Sequence, residues 1–394
     1  MRLAGMLPGP RPLAPPAMLS KRKVCVVLGI AALLLLMLAS QSIQRKHFLS
    51  LSVATPTRDN ISQETGEKCS LLRRTRTLRF LDELPVDVGG PHKLVSSSPL
   101  EKLAQGDAGR DARPCGCPES CVSDLSESDW FRRRYDPQQQ PVLRGAKDRL
   151  NPDALNWWLS LQRSGNDHTL QEVMSRMFQV VSPPSVDFTP RLSRCRVCAV
   201  VGNSGNLQKS GHGKLIDSHD SVIRMNKAVT HGFERDVGNR TTHHFMYPES
   251  AADVGHGVSL ILLPFKLRDM EWLSSALSTG HVKMTYMRVR ERVEADKDKV
   301  LVVSPAFFKY VHERWTERHG RYPSTGMLAI VFALHICDQV SVFGYGADKQ
   351  GNWHHYWEEN RYAGAFRKTG VHSADFEMQV IRQLAEEGKI RLHA

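Results

Sequence analysis

Cysteine is scarce in this chain, with eight in 394 residues. That is too few for a disulfide-stapled miniprotein, so a packed core must supply most of the stability. Acid is short as well. Asp and Glu total 41 against 53 Lys and Arg, leaving a formal charge of +12. The expected partner is anionic: nucleic acid, an acidic membrane surface, or a phosphate- or carboxylate-bearing substrate. Internal repeats are absent. Hydrophobic residues at 41% and charged residues at 24% exclude a disordered chain, a collagen and a multi-span membrane protein. The length suits two or three domains, or one large α/β domain with extensions.

Residues 24–39, VCVVLGIAALLLLMLA, carry no charge. With Ser40 this is just long enough to span a bilayer. Arg2, Arg11, Lys21, Arg22 and Lys23 precede it without any acid, and Arg45 and Lys46 follow. The positive-inside rule then predicts a cytosolic tail over 1–23, an anchor over 24–40 and a lumenal remainder. The competing reading is a cleaved signal peptide, whose apolar region is shorter and ends in a small-residue site. A lumenal chain permits disulfides and N-glycans, with sequons at Asn60 and Asn239. It argues against nucleic acid. Residues 41–111 read as a solvated stem rich in Ser, Pro, Gly and charge, with LLRRTRTLRFLDEL (71–84) as a competing short basic helix.

Order is expected from Cys115 onward. Pro152 opens a helix through NWWLSLQ, and Thr169 with Glu172 forms a capping box before the next. After Cys195, apolar β-branched runs alternate with helical stretches: 197–201, 221–226, 258–265, 300–305, 339–346 and 389–393. Short apolar strands separated by helices predict a parallel sheet covered on both faces. Chemistry in such folds gathers at the carboxyl ends of the strands.

Gly202-Asn203-Ser204-Gly205 follows the first of these runs. It is a tight turn that admits a ligand to the backbone, and equally an ordinary strand-to-helix turn; it has neither the lysine of a P-loop nor the spacing G-x-G-x-x-G. Asn226 ends the second run in the same way. Ser324-Thr325-Gly326 precedes an apolar helix, whose N-terminus offers free N–H groups to an anion or is simply capped. Trp353-His354-His355-Tyr356-Trp357 and His372 place imidazoles among aromatics in the C-terminal third. Aromatic faces stack on sugars, and His serves as a base near neutral pH. The adjacent pairs His243-His244 and His354-His355 are poor zinc ligands, because neighbouring side chains on an extended segment diverge. Asp296-Lys297-Asp298 has the D-x-D form of a Mn²⁺ site, but its flanking lysines favour a solvated face.

Four stretches, in order, resemble the sialyl motifs of the animal sialyltransferases. VVGNSGNL, DSHDSVIRMNKA and DVGNRTTHHFMYPES resemble the large motif, HGRYPSTGMLAIVFALHICDQVSVFGYG the small one, HHYW the third and GVHSADFE the very small one. The wording is most similar to the β-galactoside α-2,3 group acting on Galβ1-3GalNAc. The similarity runs from about Cys115 to the C-terminus.

This resemblance implies a Golgi enzyme of type II topology, with a stem and a catalytic domain over 112–394. It implies a GT-A-like variant α/β fold, a mostly parallel twisted sheet flanked by helices. The donor would be CMP-N-acetylneuraminate and the acceptors Galβ1-3GalNAc-terminated glycoproteins and glycolipids, with inversion at the anomeric carbon. Asn203, Ser204, Asn226, Ser324, Thr325, Gly326 and Gly346 would hold CMP. His355 would meet the donor phosphate and His372 would be the base. Gln162, Tyr286 and Tyr322 would touch the substrates. The implied disulfides are Cys115–Cys121, Cys117–Cys195 and Cys198–Cys337. Two positions depart from the pattern: Tyr345 stands where Phe is commoner, and Ser373, a good N-cap, where Asp is usual. A single donor phosphate can be met by a helix N-terminus and an imidazole, so no metal and no cofactor are expected. Two other readings stay open: a glycan-binding protein that has lost turnover, and a sialyltransferase of different linkage or acceptor.

Overall fold

The computed structural model describes residues 114–161, 168–185, 189–359 and 370–393. The expected anchor and stem, Asn60 and Gln162 lie outside the described residues.

Seven short strands make one sheet: β1 Val197–Val201, β2 Ser221–Met225, β3 His243–Met246, β4 Ser259–Leu262, β5 Val300–Val302, β6 Gln339–Phe343 and β7 Arg391–His393. All the pairings between them are parallel. Each of the six apolar runs contains a strand. The sequence reading missed β3, because HHFM opens on two polar residues. Burial pulls His243 down to about 4. His244 Nε2 lies 2.6 Å from the Asn226 carbonyl, to which it donates. These histidines therefore serve the sheet and the loop beside it.

The spatial order is β5-β4-β3-β2-β1-β6-β7. The chain builds outward from β1 to β5, then crosses back to place β6 on the other side of β1. The reversal between β1 and β6 is a topological switch point, where the loops leaving two neighbouring strands part and open a crevice. The outer edge of β5 is covered, since Leu143 N–H donates to Val302 O at 2.9 Å.

Among the described residues, five α-helices run eight residues or longer: α1 Pro152–Leu161, α2 Leu170–Met177, α3 Leu267–Ala276, α4 Thr325–Ile336 and α5 Ala374–Glu386. The capping box of α2 forms, with Thr169 and Glu172 satisfying each other's backbone N–H. Alternate strand residues feed the two faces. Ile223, Phe245, Ile261 and Val342 pack with α4 and α5, while Leu260, Leu262, Val300 and Val302 pack with α1, α2 and α3. Helix α4 is apolar all round, and every residue from Met327 to Ile336 is buried. It is the central rod of the domain. The three disulfides join Cys115 to Cys121, Cys117 to Cys195 and Cys198 to Cys337. The last ties β1 to the end of α4.

Candidate active site

An open cavity of about 290 Å³ sits at the carboxyl ends of β1, β2 and β6. Nine of the twelve residues expected at the site line it: Asn203, Ser204, Asn226, Ser324, Thr325, Gly326, Gly346, His355 and His372. Two do not, and Gln162 lies outside the described residues. Tyr286 is 67% exposed on a turn beside the cavity. Tyr322 lies behind His372, with ring centres 5.0 Å apart.

The floor comes from the strand ends. Ser204 N–H donates to Gly344 O at 3.1 Å, and Asn203 Nδ2 donates to Met225 O at 3.1 Å, stitching the turns after β1, β2 and β6 together. Asn226 is left-handed, with φ 58°. Its Oδ1 is buried without a hydrogen-bond partner, and the residue lines the cavity. A buried acceptor left unmet in the protein is one that a ligand donor can meet.

One wall is the start of α4, whose positive end could meet an anion. Ser324 is the N-cap, and its Oγ accepts from Met327 N–H at 3.1 Å. Its hydroxyl is also 2.5 Å from Glu377, whose other oxygen accepts Ser324 N–H at 2.8 Å. The Ser324 side chain is thus engaged within the protein. Thr325 and Gly326 supply the groups that face outward at the positive end of the helix. Gly326 is required by contact, since a Cβ there would fall 2.9 Å from the Tyr345 ring. The Tyr345 hydroxyl donates to Gly326 O at 3.1 Å, so this departure from Phe adds a bond to the helix start. Glu377 is a site residue that the sequence reading did not single out. Burial pushes its carboxyl up to about 7, against the pull of both Ser324 bonds.

His372 Nδ1 lies 2.9 Å from the backbone carbonyl of Tyr322. A carbonyl only accepts, so Nδ1 carries the proton and Nε2 keeps its lone pair. Burial pulls the ring below its ordinary value, partly offset by that bond. The arrangement is that of a neutral base. Ser373 occupies the N-cap position of α5, but its side chain makes no capping bond, contrary to expectation. His355 differs. Its Nδ1 is 3.0 Å from Glu358, and its ring stacks on Trp357 at 4.6 Å. With Nδ1 taken by a carboxylate, Nε2 is the nitrogen that can meet a ligand.

Beside the cavity stands a buried ion cluster, also unforeseen. Lys266 Nζ is 3.2 Å from Glu249 and 2.7 Å from Asp269, and 5.0 Å from the centre of the Tyr286 ring. Burial pushes Asp269 up to about 7. The Thr285 hydroxyl bonds to Glu249 and ties the Tyr286 turn to this cluster. Asp296 is elsewhere. It accepts from Gly257 N–H at 2.8 Å and from His256 at 3.1 Å, at the amino ends of β4 and β5. Asn239 is exposed in the loop before β3.

A parallel α/β sheet with a helix start and an imidazole in one switch-point cavity suits an enzyme that binds an anion and takes up a proton. Residues 142–389 match glycosyltransferase family 29 (sialyltransferase), and the chain belongs to that family. It is 51% identical over 320 residues to CMP-N-acetylneuraminate-beta-galactosamide-alpha-2,3-sialyltransferase 2 of Mus musculus, covering 80% of this chain and 90% of that one. It is 51% identical over 284 residues to the type 1 enzyme of Homo sapiens, covering 71% and 82%. A crystal structure of a mammalian sialyltransferase in complex with Gal-beta-1-3GalNAc-ortho-nitrophenol superposes with a TM-score of 0.65 at 49% identity, covering 71% of this chain and 99% of that one.

Proposed function

We propose that the protein transfers sialic acid from CMP-N-acetylneuraminate to the 3-hydroxyl of the terminal galactose in Galβ1-3GalNAc, on O-glycans and glycolipids. The observation that carries this is His372, held as a neutral base by Tyr322 O, in one cavity with the anion-binding start of α4. His372 Nε2 takes the proton of the acceptor hydroxyl. The freed oxygen attacks the anomeric carbon from the face opposite CMP, so the configuration inverts. The glycosidic C–O bond to the phosphate breaks, and CMP leaves with the electron pair. Thr325, Gly326 and His355 meet the charge that gathers on the phosphate. Asn203, Ser204, Asn226 and Gly346 hold the nucleotide, and Ser324 orients the helix start. Gln162, Tyr286 and Tyr322 touch the sugars.

The leaving group is a single phosphate, and the helix start and one imidazole can balance it without a metal ion. The sheet suits a GT-A-like variant. The apolar stretch at 24–40, with basic residues ahead of it, and the resemblance of the sialyl motifs support a single-pass Golgi enzyme with a tail over 1–23, a stem over 41–111 and a lumenal catalytic domain over 112–394. Asn60 and Asn239 would carry N-glycans. The full chain, given CMP-N-acetylneuraminate and a panel of galactosides, should yield an α-2,3 product on Galβ1-3GalNAc, read by NMR of the linkage. Binding of CMP without transfer to any galactoside would sink this reading.

A further inference from the structure

His372 is gripped from outside its own helix. After the short helix Pro305–Tyr310, residues Val311–Trp315 form a π-helical turn, a rare form that is frequent at functional sites. Glu317, Arg318 and Gly320 then take φ values of 47°, 63° and 74°. Left-handed backbone at two successive non-glycine residues persists only where the surroundings impose it. The turn delivers residues 319–322 as a strap across the segment that bears the base. The His319 ring lies flat on Phe376, with centres 3.7 Å apart and 11° between planes. Its Nδ1 is 3.0 Å from Thr316 O, to which it donates. Gly320 faces the base directly. A Cβ there would fall 2.9 Å from Val371 O, 3.0 Å from Ser373 N and 3.1 Å from His372 Cα. Arg321 N–H donates to Val371 O at 2.8 Å, and Tyr322 O takes the His372 Nδ1 proton.

We propose that His319 and Gly320 are positioning residues for the transfer: they seat this strap so that His372 is held in one tautomer and one place before the acceptor hydroxyl. The proposal rests on His372 being the base. Gly320 allows the backbone approach that brings Tyr322 O to Nδ1. His319 anchors the strap on α5, the helix that begins two residues after the base. The charged and titratable groups around His372 are His319, Arg321 and Tyr322 of the strap, Asp375 and Glu377 of α5, and His355 of the same cavity.

The test uses the full chain and three readouts: kcat, the dissociation constant of CMP, and the acidic limb of the pH–rate profile. Gly320→Ala should lower kcat roughly tenfold or more while CMP binds within about twofold of wild type. Loosening exposes the ring, so the acidic limb should rise toward about pH 6.5. His319→Ala should act in the same direction, and His319→Phe, which keeps the stack, should restore kcat. An unchanged kcat in Gly320→Ala, or kcat and CMP affinity falling together, overturns the proposal. So does His319→Phe proving no better than His319→Ala. His372→Gln separates the two readings. If it turns over normally, the base is wrong; if it is inactive while Gly320→Ala is normal, only the strap is wrong.

Discussion

At the scale of single residues, the site runs on where protons sit. Tyr322 O fixes the His372 proton on Nδ1, and Glu358 engages the same nitrogen of His355. On the proposed function the two imidazoles would play opposite parts, one accepting a proton and one donating a bond to phosphate. His355→Ala should weaken both CMP binding and kcat, because its partner is the group whose charge changes; calorimetry with CMP beside initial rates checks this, and unchanged CMP affinity would count against it. Glu377 makes a second prediction. Its folded value of about 7 lies above the ordinary ~4.3. The stability it contributes is whole below about pH 4.3 and is lost as pH rises through about 7. The melting temperature of Glu377→Gln minus that of wild type should therefore climb between about pH 4 and 7 and level off above that. Taking the difference cancels Asp269, His243 and His335, which titrate in both proteins. A flat difference would mean that the carboxyl does not titrate there.

Among the elements, legibility followed pattern. Strands β1, β4, β5 and β6 are mostly apolar and rich in Val, Ile and Leu, as a parallel sheet buried on both faces demands. The loops behind β1 and β2 could be searched for chemistry on that basis, which is why Asn203 and Asn226 were found; Gly346, behind β6, came only from the resemblance. Strand β3 was hidden because it opens on two polar residues, His243 and His244, whose sheet role depends on Thr242 and Asn226. Glu377 stood inside a quoted motif, but its partner Ser324 is 53 residues away. The cluster of Lys266, Glu249 and Asp269 likewise exists only once the chain has folded. The Cys198–Cys337 bridge links β1 to α4, which together carry Gly202 to Ser204 and Ser324 to Gly326. Replacing both cysteines by Ala should cost about 2–5 kcal/mol, read as an earlier unfolding midpoint in urea. An unchanged midpoint would show that the bridge is dispensable.

The whole molecule couples a basic chain to an anionic donor. A net charge of +12 suits substrates that carry a phosphate and a carboxylate. On the proposed function the helix start and His355 would balance the leaving phosphate, so turnover should persist in excess EDTA, measured as product formed per minute before and after chelation. Loss of activity that Mn²⁺ restores would return Asp296 and Asp298 to consideration, although Asp296 bonds to Gly257 and His256 at the amino ends of the strands, the end opposite the cavity.

The central claim is that this cavity transfers a sugar with His372 as its base. The most direct measurement compares kcat and CMP affinity of His372→Gln with those of wild type, across pH. A positioned general base is worth about 10²–10⁴-fold. The account predicts a loss of kcat of that size with CMP still bound as tightly, and an acidic limb in the wild type lying below about pH 6.5, where burial has moved the ring. A variant with near-normal kcat and the same acidic limb would contradict it.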